Sequence, residues 1–359
     1  MPGRSGAAAW FLACVAGPSE RVLDNLTERP VVVAPMAGGP STAALVVAAA
    51  QVGALGFVPG GYKSAQAMRG DIEAVVGATD SPFGVNVFVP GRPAADGASL
   101  ARYVDDLAAE GRRLGTEIGE PTWNDDDWNA KIADLTARPV PVVSFTFGCP
   151  DADVVASLQD AGSMVLVTVT DEQEAAVAAA AGADCLVVQG TEAGAHRGSF
   201  GNDPSADGPG LGVLGLIPAV RAVTGLPLVA AGGIMSADGV NAALASGAVA
   251  AQCGTAFLRC PESGAHPAYK AALADPGFDR TAFTRAFSGR PARGLVNDFM
   301  RAHQDAPAAY PEINSATRPL RAAAAKAGDL HRMSLWAGKG FRQATEYPAA
   351  DVIGMLCGG

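Results

Sequence analysis

Eight short apolar runs punctuate the chain, and helical patterns fill the spaces between them. The runs lie at 31–34 (VVVA), 54–57 (ALGF), 84–88 (GVNVF), 142–145 (VVSF), 164–169 (MVLVTV), 185–188 (CLVV), 227–231 (PLVAA) and 248–253 (AVAAQC). Each is nearly continuous in apolar residues and bounded by Gly, Pro or Asp, as strands buried on both faces of a parallel sheet are. Helical patterns at 41–53, 151–162, 170–182 and 236–247 begin at a polar capping residue and close on a glycine. Ser41 and Thr42 are the candidate caps of the first, and Gly53 follows its end. Eight strand–helix alternations give the count of a (β/α)8 TIM barrel; a doubly wound open sheet is the second choice.

Two segments exceed the bare barrel. Residues 90–140, with PGRPAADG and PTWNDDDWNA, read as a partly helical insertion after the third strand. Residues 258–359 follow the eighth strand and contain a helical pattern at 318–328. Both read as additions over one end of the barrel, the C-terminal cap covering about 258–350, so 23–359 is expected to be one domain. Residues 1–22 read as a flexible or non-native extension; their short apolar run after one Arg gives a weak likeness to a signal peptide.

Composition narrows the function classes. Hydrophobic residues make up 49% and charged residues 17%, which describes a well-buried globular chain. A net charge of −10 repels nucleic acid and anionic membranes, so neither is expected as a partner. Cys14, Cys149, Cys185, Cys253, Cys260 and Cys357 form no C-x-x-C pair and no metal-ligand spacing. No metal is expected, and the cysteine usage fits a reducing, cytoplasmic setting. Monomer and homodimer both remain open.

In such barrels chemistry sits in the loops that follow the strands. Those loops are rich in glycine here: PMAGGPST after the first strand, QGTEAGAHRGSF after the sixth, GGIMSADG after the seventh and GTAFLRC after the eighth. The last two are the expected phosphate site, with backbone N–H groups at Gly232, Gly233, Gly254 and Thr255 and the Thr255 hydroxyl as donors. No P-loop spacing occurs, and no strand-linked G-x-G-x-x-G, which argues against a Rossmann dinucleotide site.

The motifs VAPMAGGPST, FGVNVFVP, SFTFG, QGTEAGAHRG, LPLVAAGGI and CGTAFL occur in order, followed by YPEIN and LWAGKGF. In this the chain resembles the nitronate monooxygenases of the bacterial type, once called 2-nitropropane dioxygenases, over roughly residues 23–350. The resemblance implies FMN across the barrel mouth, with Met36 near the flavin ring, and Asn86 and Gln189 offering amides to its polar edge. Gly194, Gly232, Gly233, Gln252, Gly254 and Thr255 would surround the ribityl chain and phosphate. It implies His196 as the catalytic histidine, O2 as co-substrate, and conversion of an alkyl nitronate such as propionate 3-nitronate, or of a nitroalkane, to a carbonyl compound and nitrite. Imidazole has the proton affinity such a step needs near neutral pH. With a nitronate, already deprotonated, His196 would instead hold the anion. The family usually has glycine where Ala195 stands.

By the same resemblance Tyr310, Asn314 and Lys339 reach over the mouth toward an anionic small-molecule substrate or the flavin. Ser288 belongs to the cap and receives no role. Lys63 reads as an exposed lysine able to face an anion, Cys149 as pocket lining, and His266, His303 and His331 as histidines without a catalytic setting. Two other readings stand beside this one: a flavin-dependent enoyl reductase-like enzyme using NAD(P)H, and a non-catalytic barrel that binds FMN or a phosphate ligand.

Overall fold

A computed structural model describes residues 27–206 and 210–359. The extension expected at 1–22, and Cys14 with it, lies outside the described residues. Eight parallel strands close into a barrel: β1 (Val31–Val33), β2 (Leu55–Pro59), β3 (Gly84–Phe88), β4 (Val142–Thr146), β5 (Met164–Val169), β6 (Cys185–Gln189), β8 (Leu228–Ala231) and β9 (Ala250–Cys253). β9 pairs with β1 through Val32 and Gln252, which closes the ring. All eight apolar runs are strands, so the barrel supersedes the open sheet.

The helices follow from local chemistry. Thr42 caps α1 (Ala43–Gln51), its side chain accepting from the Leu45 N–H, and Ser64 caps α2 (Ala65–Val76) in the same way at Ala67. The insertion supplies α3 (Gly97–Leu114) and α4 (Trp128–Ala137). Then come α5 (Ala152–Asp160), α6 (Glu172–Ala180), α7 (Val213–Arg221) and α8 (Ala237–Ala245). Asp171 and Ser236 cap α6 and α8 with side-chain hydrogen bonds, as an acceptor at that position should.

Strand alternation sorts the core. Val32, Leu55, Phe57, Val142, Leu166, Val187, Val229 and Ala250 share one buried cluster inside the ring. Their neighbours Val31, Val33, Val167, Leu186, Val188 and Ala251 pack outward with the helices. One step further along the inward-facing series the side chains turn polar: Asn86, Ser144, Thr146, Thr168, Gln189 and Gln252. These stand at the C-terminal ends of the strands and line a cavity there.

The cap covers that same end. It contains α9 (Pro267–Ala272), β10 (Thr281–Thr284), β11 (Ala292–Leu295), α10 (Asp298–Ala302) and α11 (Glu312–Ala327), whereas α12 (Ala349–Leu356) packs on the outside of the barrel against α1 and α8. Tyr103 and Leu107 of α3 pack in one cluster with Ile313, Ala316 and Leu320 of α11, so insertion and cap are joined. The loop after β6 does not stay a loop. Its residues Ala195–His196 form a two-residue strand, β7, paired antiparallel with β11, and β11 pairs with β10. Among the described residues no helix is long and apolar enough to cross a membrane.

Candidate active site

The cavity above the barrel measures about 1060 Å³. Met36, Asn86, Gln189, Gly194, Gly232, Gly233, Gln252, Gly254, Thr255, His196, Tyr310 and Asn314 all line it. Loops after β1, β6, β8 and β9, the end of β3 and the start of α11 therefore converge on one space.

The end where the sequence places a phosphate lies at the loops after β8 and β9. Gly232 and Gly233 have φ of +129° and +68°, backbone that side-chain-bearing residues rarely adopt. No described residue accepts from the backbone N–H groups of Gly233 and Gly254. The Thr255 hydroxyl accepts from the Gly338 N–H at 3.0 Å, which ties the WAGKG segment to this end. Gly194 is packed against that segment: a Cβ there would stand 2.5 Å from the Ala337 carbonyl carbon and the Gly338 nitrogen.

Two amides expected to face a ligand are already engaged within the protein. Asn86 Nδ2 lies 2.9 Å from Ser144 Oγ and 3.0 Å from Thr146 Oγ1. Gln189 Nε2 donates to the His196 carbonyl at 3.1 Å, and its Oε1 accepts from the Gly198 N–H at 2.8 Å. Gln189 thus braces the histidine segment from below, and each group keeps part of its hydrogen-bonding capacity for the cavity.

His196 sits in an aromatic enclosure. Phe147, Tyr310 and Trp336 each place a ring centroid 5.7 Å or less from the His196 ring or from one another. Its Nε2 lies 2.8 Å from Ser288 Oγ. Burial, then the cationic Arg290 and Arg321, push its pKa from 6.5 down to about 3, so the imidazole is uncharged at neutral pH. Arg290 stacks over the Phe147 ring at 4.2 Å and donates to the Ser199 and Gly201 carbonyls, which holds the chain just past His196. Arg321 lines the cavity and donates to Asn314 Oδ1 at 2.8 Å. Among the described residues neither arginine forms an ion pair with a carboxylate. Ala195, just before the histidine, has φ of +61°, and Phe147, whose ring packs against it, has φ of +76°, both left-handed conformations that a side chain disfavours.

The structure corrects several expectations. Lys339 is exposed and does not line the cavity; only its backbone contributes, donating to the Glu192 carbonyl at 3.0 Å. Cys149 does not line it either: the thiol turns toward the Pro150 carbonyl at 3.3 Å, and burial with nearby Asp151 raises its pKa to about 11. Asn314 does line the cavity, and its Oδ1 accepts from Arg321 there. Lys63 reaches the rim but pairs with Asp71. His266 also reaches the rim, where its Nδ1 caps α9. No role was foreseen for Ser288, Arg290, Arg321, Phe147, Tyr62 or Trp336. Ser288 and Arg290 lie in SGRPARG, Phe147 in SFTFG and Trp336 in LWAGKGF, but nothing in sequence pairs Ser288 with a histidine 92 positions away.

Comparison with known proteins agrees with this geometry. A family model described as nitronate monooxygenase matches residues 19–359. The nitronate monooxygenase of Pseudomonas aeruginosa is 41% identical over 342 residues, covering 92% of this chain and 95% of that protein. The structure of a nitroalkane oxidase from Streptomyces ansochromogenes superposes with a TM-score of 0.92 at 49% identity, covering 94% of this chain and 96% of that one. FabK from Thermotoga maritima is more distant, with a TM-score of 0.68, 26% identity and 95% of each chain covered. With its closed barrel, its cap and His196 set among aromatic rings at the cavity wall, the chain belongs to the nitronate monooxygenase family of oxidoreductases.

Proposed function

We propose that this enzyme oxidises alkyl nitronates, propionate 3-nitronate among them, using FMN and O2, with a carbonyl compound and nitrite as products. The observation that carries the reading is an uncharged histidine set beside two arginines without carboxylate partners. Arg290 and Arg321 supply a positive potential in a poorly solvated space, which favours an anionic substrate. A bound anion offsets the same field that depresses His196. The imidazole's proton affinity then rises, and anion and added proton stabilise each other. For a neutral nitroalkane His196 must remove a carbon-bound proton first, and the low proton affinity produced by burial opposes that step. Nitronates are therefore the favoured substrates and nitroalkanes the poorer ones.

The residues present fit FMN. Gly233 and Gly254 offer N–H groups that no described residue accepts from, and Thr255 offers a hydroxyl at the end where a phosphate would rest. Gly232 belongs to the same turn. Met36, Asn86, Gln189, Gly194 and Gln252 would line the remainder of the cofactor. FMN, when bound, supplies the electron acceptor between substrate and oxygen. Tyr310 and Phe147 flank His196 with their rings at the cavity wall.

The test is anaerobic reduction of the FMN-loaded protein by propionate 3-nitronate, a nitroalkane and NADPH in parallel. Bleaching by the nitronate and not by NADPH is the expected result. Bleaching by NADPH would instead support the enoyl reductase-like reading. Binding of FMN with no bleaching by any of the three would support a non-catalytic barrel.

A further inference from the structure

The insertion after β3 contains a lysine with no solvent exposure. Lys131, on α4, has a relative exposure of 0% and places its Nζ 2.8 Å from Asp126 Oδ2. The other oxygen of that carboxylate accepts from the Tyr62 N–H at 2.8 Å. Next to it, Asp127 Oδ2 accepts from the Ala65 N–H at 2.7 Å. The acidic turn thus grips the loop after β2 at two backbone points.

That grip holds an unfavourable backbone in place. Tyr62 has φ of +65°, in the left-handed region where a bulky side chain is rarely found. The result is the direction of its ring. Tyr62 stands edge-on to Phe88 at 5.3 Å and lines the cavity. The Tyr310 hydroxyl donates to the Tyr62 oxygen at 3.3 Å, so the Tyr62 proton remains available to whatever occupies the cavity. Tyr62 is exposed toward the open cavity, and both phenols, with an ordinary pKa of about 10, are protonated at neutral pH. Arg321 lines the same cavity. For packing alone an apolar side chain of similar volume would fill the place of Lys131 without desolvating a charge. The ion pair therefore points to control of geometry.

We propose that Tyr62 binds the anionic head of the substrate through its phenolic proton, and that Lys131 and Asp126 are positioning residues that aim it. This rests on the reading of an anionic substrate beside His196.

The experiment uses the full chain loaded with FMN and the variants Tyr62→Phe, Lys131→Met and Asp126→Asn. Each of the last two is also combined with Tyr62→Phe. FMN affinity is read by fluorescence, kcat and KM with propionate 3-nitronate, and nitrate binding by the visible difference spectrum. Tyr62→Phe is expected to raise KM and the nitrate Kd roughly tenfold, the loss of one hydrogen bond to an anion, with FMN affinity unchanged within about twofold. Lys131→Met should cause a similar rise alone and no further rise in the Tyr62→Phe background. An unchanged KM and nitrate Kd in Tyr62→Phe would overturn the binding role. A Lys131→Met effect equally large in both backgrounds would overturn the positioning role. Should Lys131→Met fail to fold, Asp126→Asn carries the same comparison. Wild-type protein that binds FMN and nitrate without turning over the nitronate would overturn the functional reading alone, and the nitrate series would still decide the role of Tyr62. Absence of both turnover and nitrate binding would overturn both.

Discussion

His196 and Ser288 meet across 92 positions of chain, with Nε2 and Oγ 2.8 Å apart. Ser288 Oγ also lies 3.2 Å from the Arg290 carbonyl and 3.4 Å from the Arg290 N–H. With the serine proton on that carbonyl, the serine oxygen accepts from the histidine. In that arrangement the proton of His196 is on Nε2 and Nδ1 keeps its lone pair, the tautomer that the next experiment tests.

Ser288→Ala should therefore disturb the histidine without emptying the flavin site. The expected outcome is a fall in kcat for propionate 3-nitronate of about tenfold with FMN affinity retained. Nitrogen-15 shifts of the ring check the cause directly. They should show one tautomer in the wild type and a mixture in the variant; one tautomer in both would remove Ser288 from this role.

Substrate charge should decide how much His196 matters. His196→Asn is expected to lower turnover of a neutral nitroalkane by roughly 10²–10⁴, the range of a lost general base. For a nitronate the loss should stay near tenfold, the range of a lost hydrogen bond. Parallel kcat/KM measurements give the ratio. Equal losses on both substrates would mean that proton removal is not what separates them.

Acid should weaken the flavin-free protein partly through this one group. The folded-state pKa of His196 is about 3 and its ordinary value 6.5. Between those values the unfolded chain takes up a proton that the folded chain refuses, so stability is present above 6.5 and lost as pH falls toward 3. The slope is about 1.4 kcal/mol per pH unit, or about 2 kcal/mol between pH 6.5 and 5. Urea titrations at pH 7 and pH 5 should show His196→Asn losing less stability than wild type by about that amount.

Strain at Ala195 should be recoverable. Its φ of +61° is a left-handed conformation that a Cβ disfavours. Ala195→Gly relieves that cost and gains unfolded-chain entropy in exchange, leaving a net stabilisation of about 0.5–1 kcal/mol. The urea midpoint reads it. A drop in stability would show that the Cβ makes a contact worth more than the strain.

Much of the architecture was written locally. The eight apolar runs, their caps at Thr42, Asp171 and Ser236, and the glycines that follow each helix specify strand–helix units, because burial pattern and capping act within about ten residues. Strand-end position brought Asn86, Gln189, Gly232, Gly233, Gln252, Gly254 and Thr255 to one cavity, since a closed barrel gathers all its strand ends at one face. The motif around His196 singled out the histidine as well. What the sequence could not determine was its partners. Ser288 reaches it only because β7 pairs with β11, Arg321 because α11 folds back over the mouth, and Tyr62 because a buried ion pair in the insertion holds its loop. These are pairings between segments far apart in the chain, chosen by shape and hydrogen bonding in the folded state. They set the surroundings of the histidine, which no local pattern in the sequence could specify.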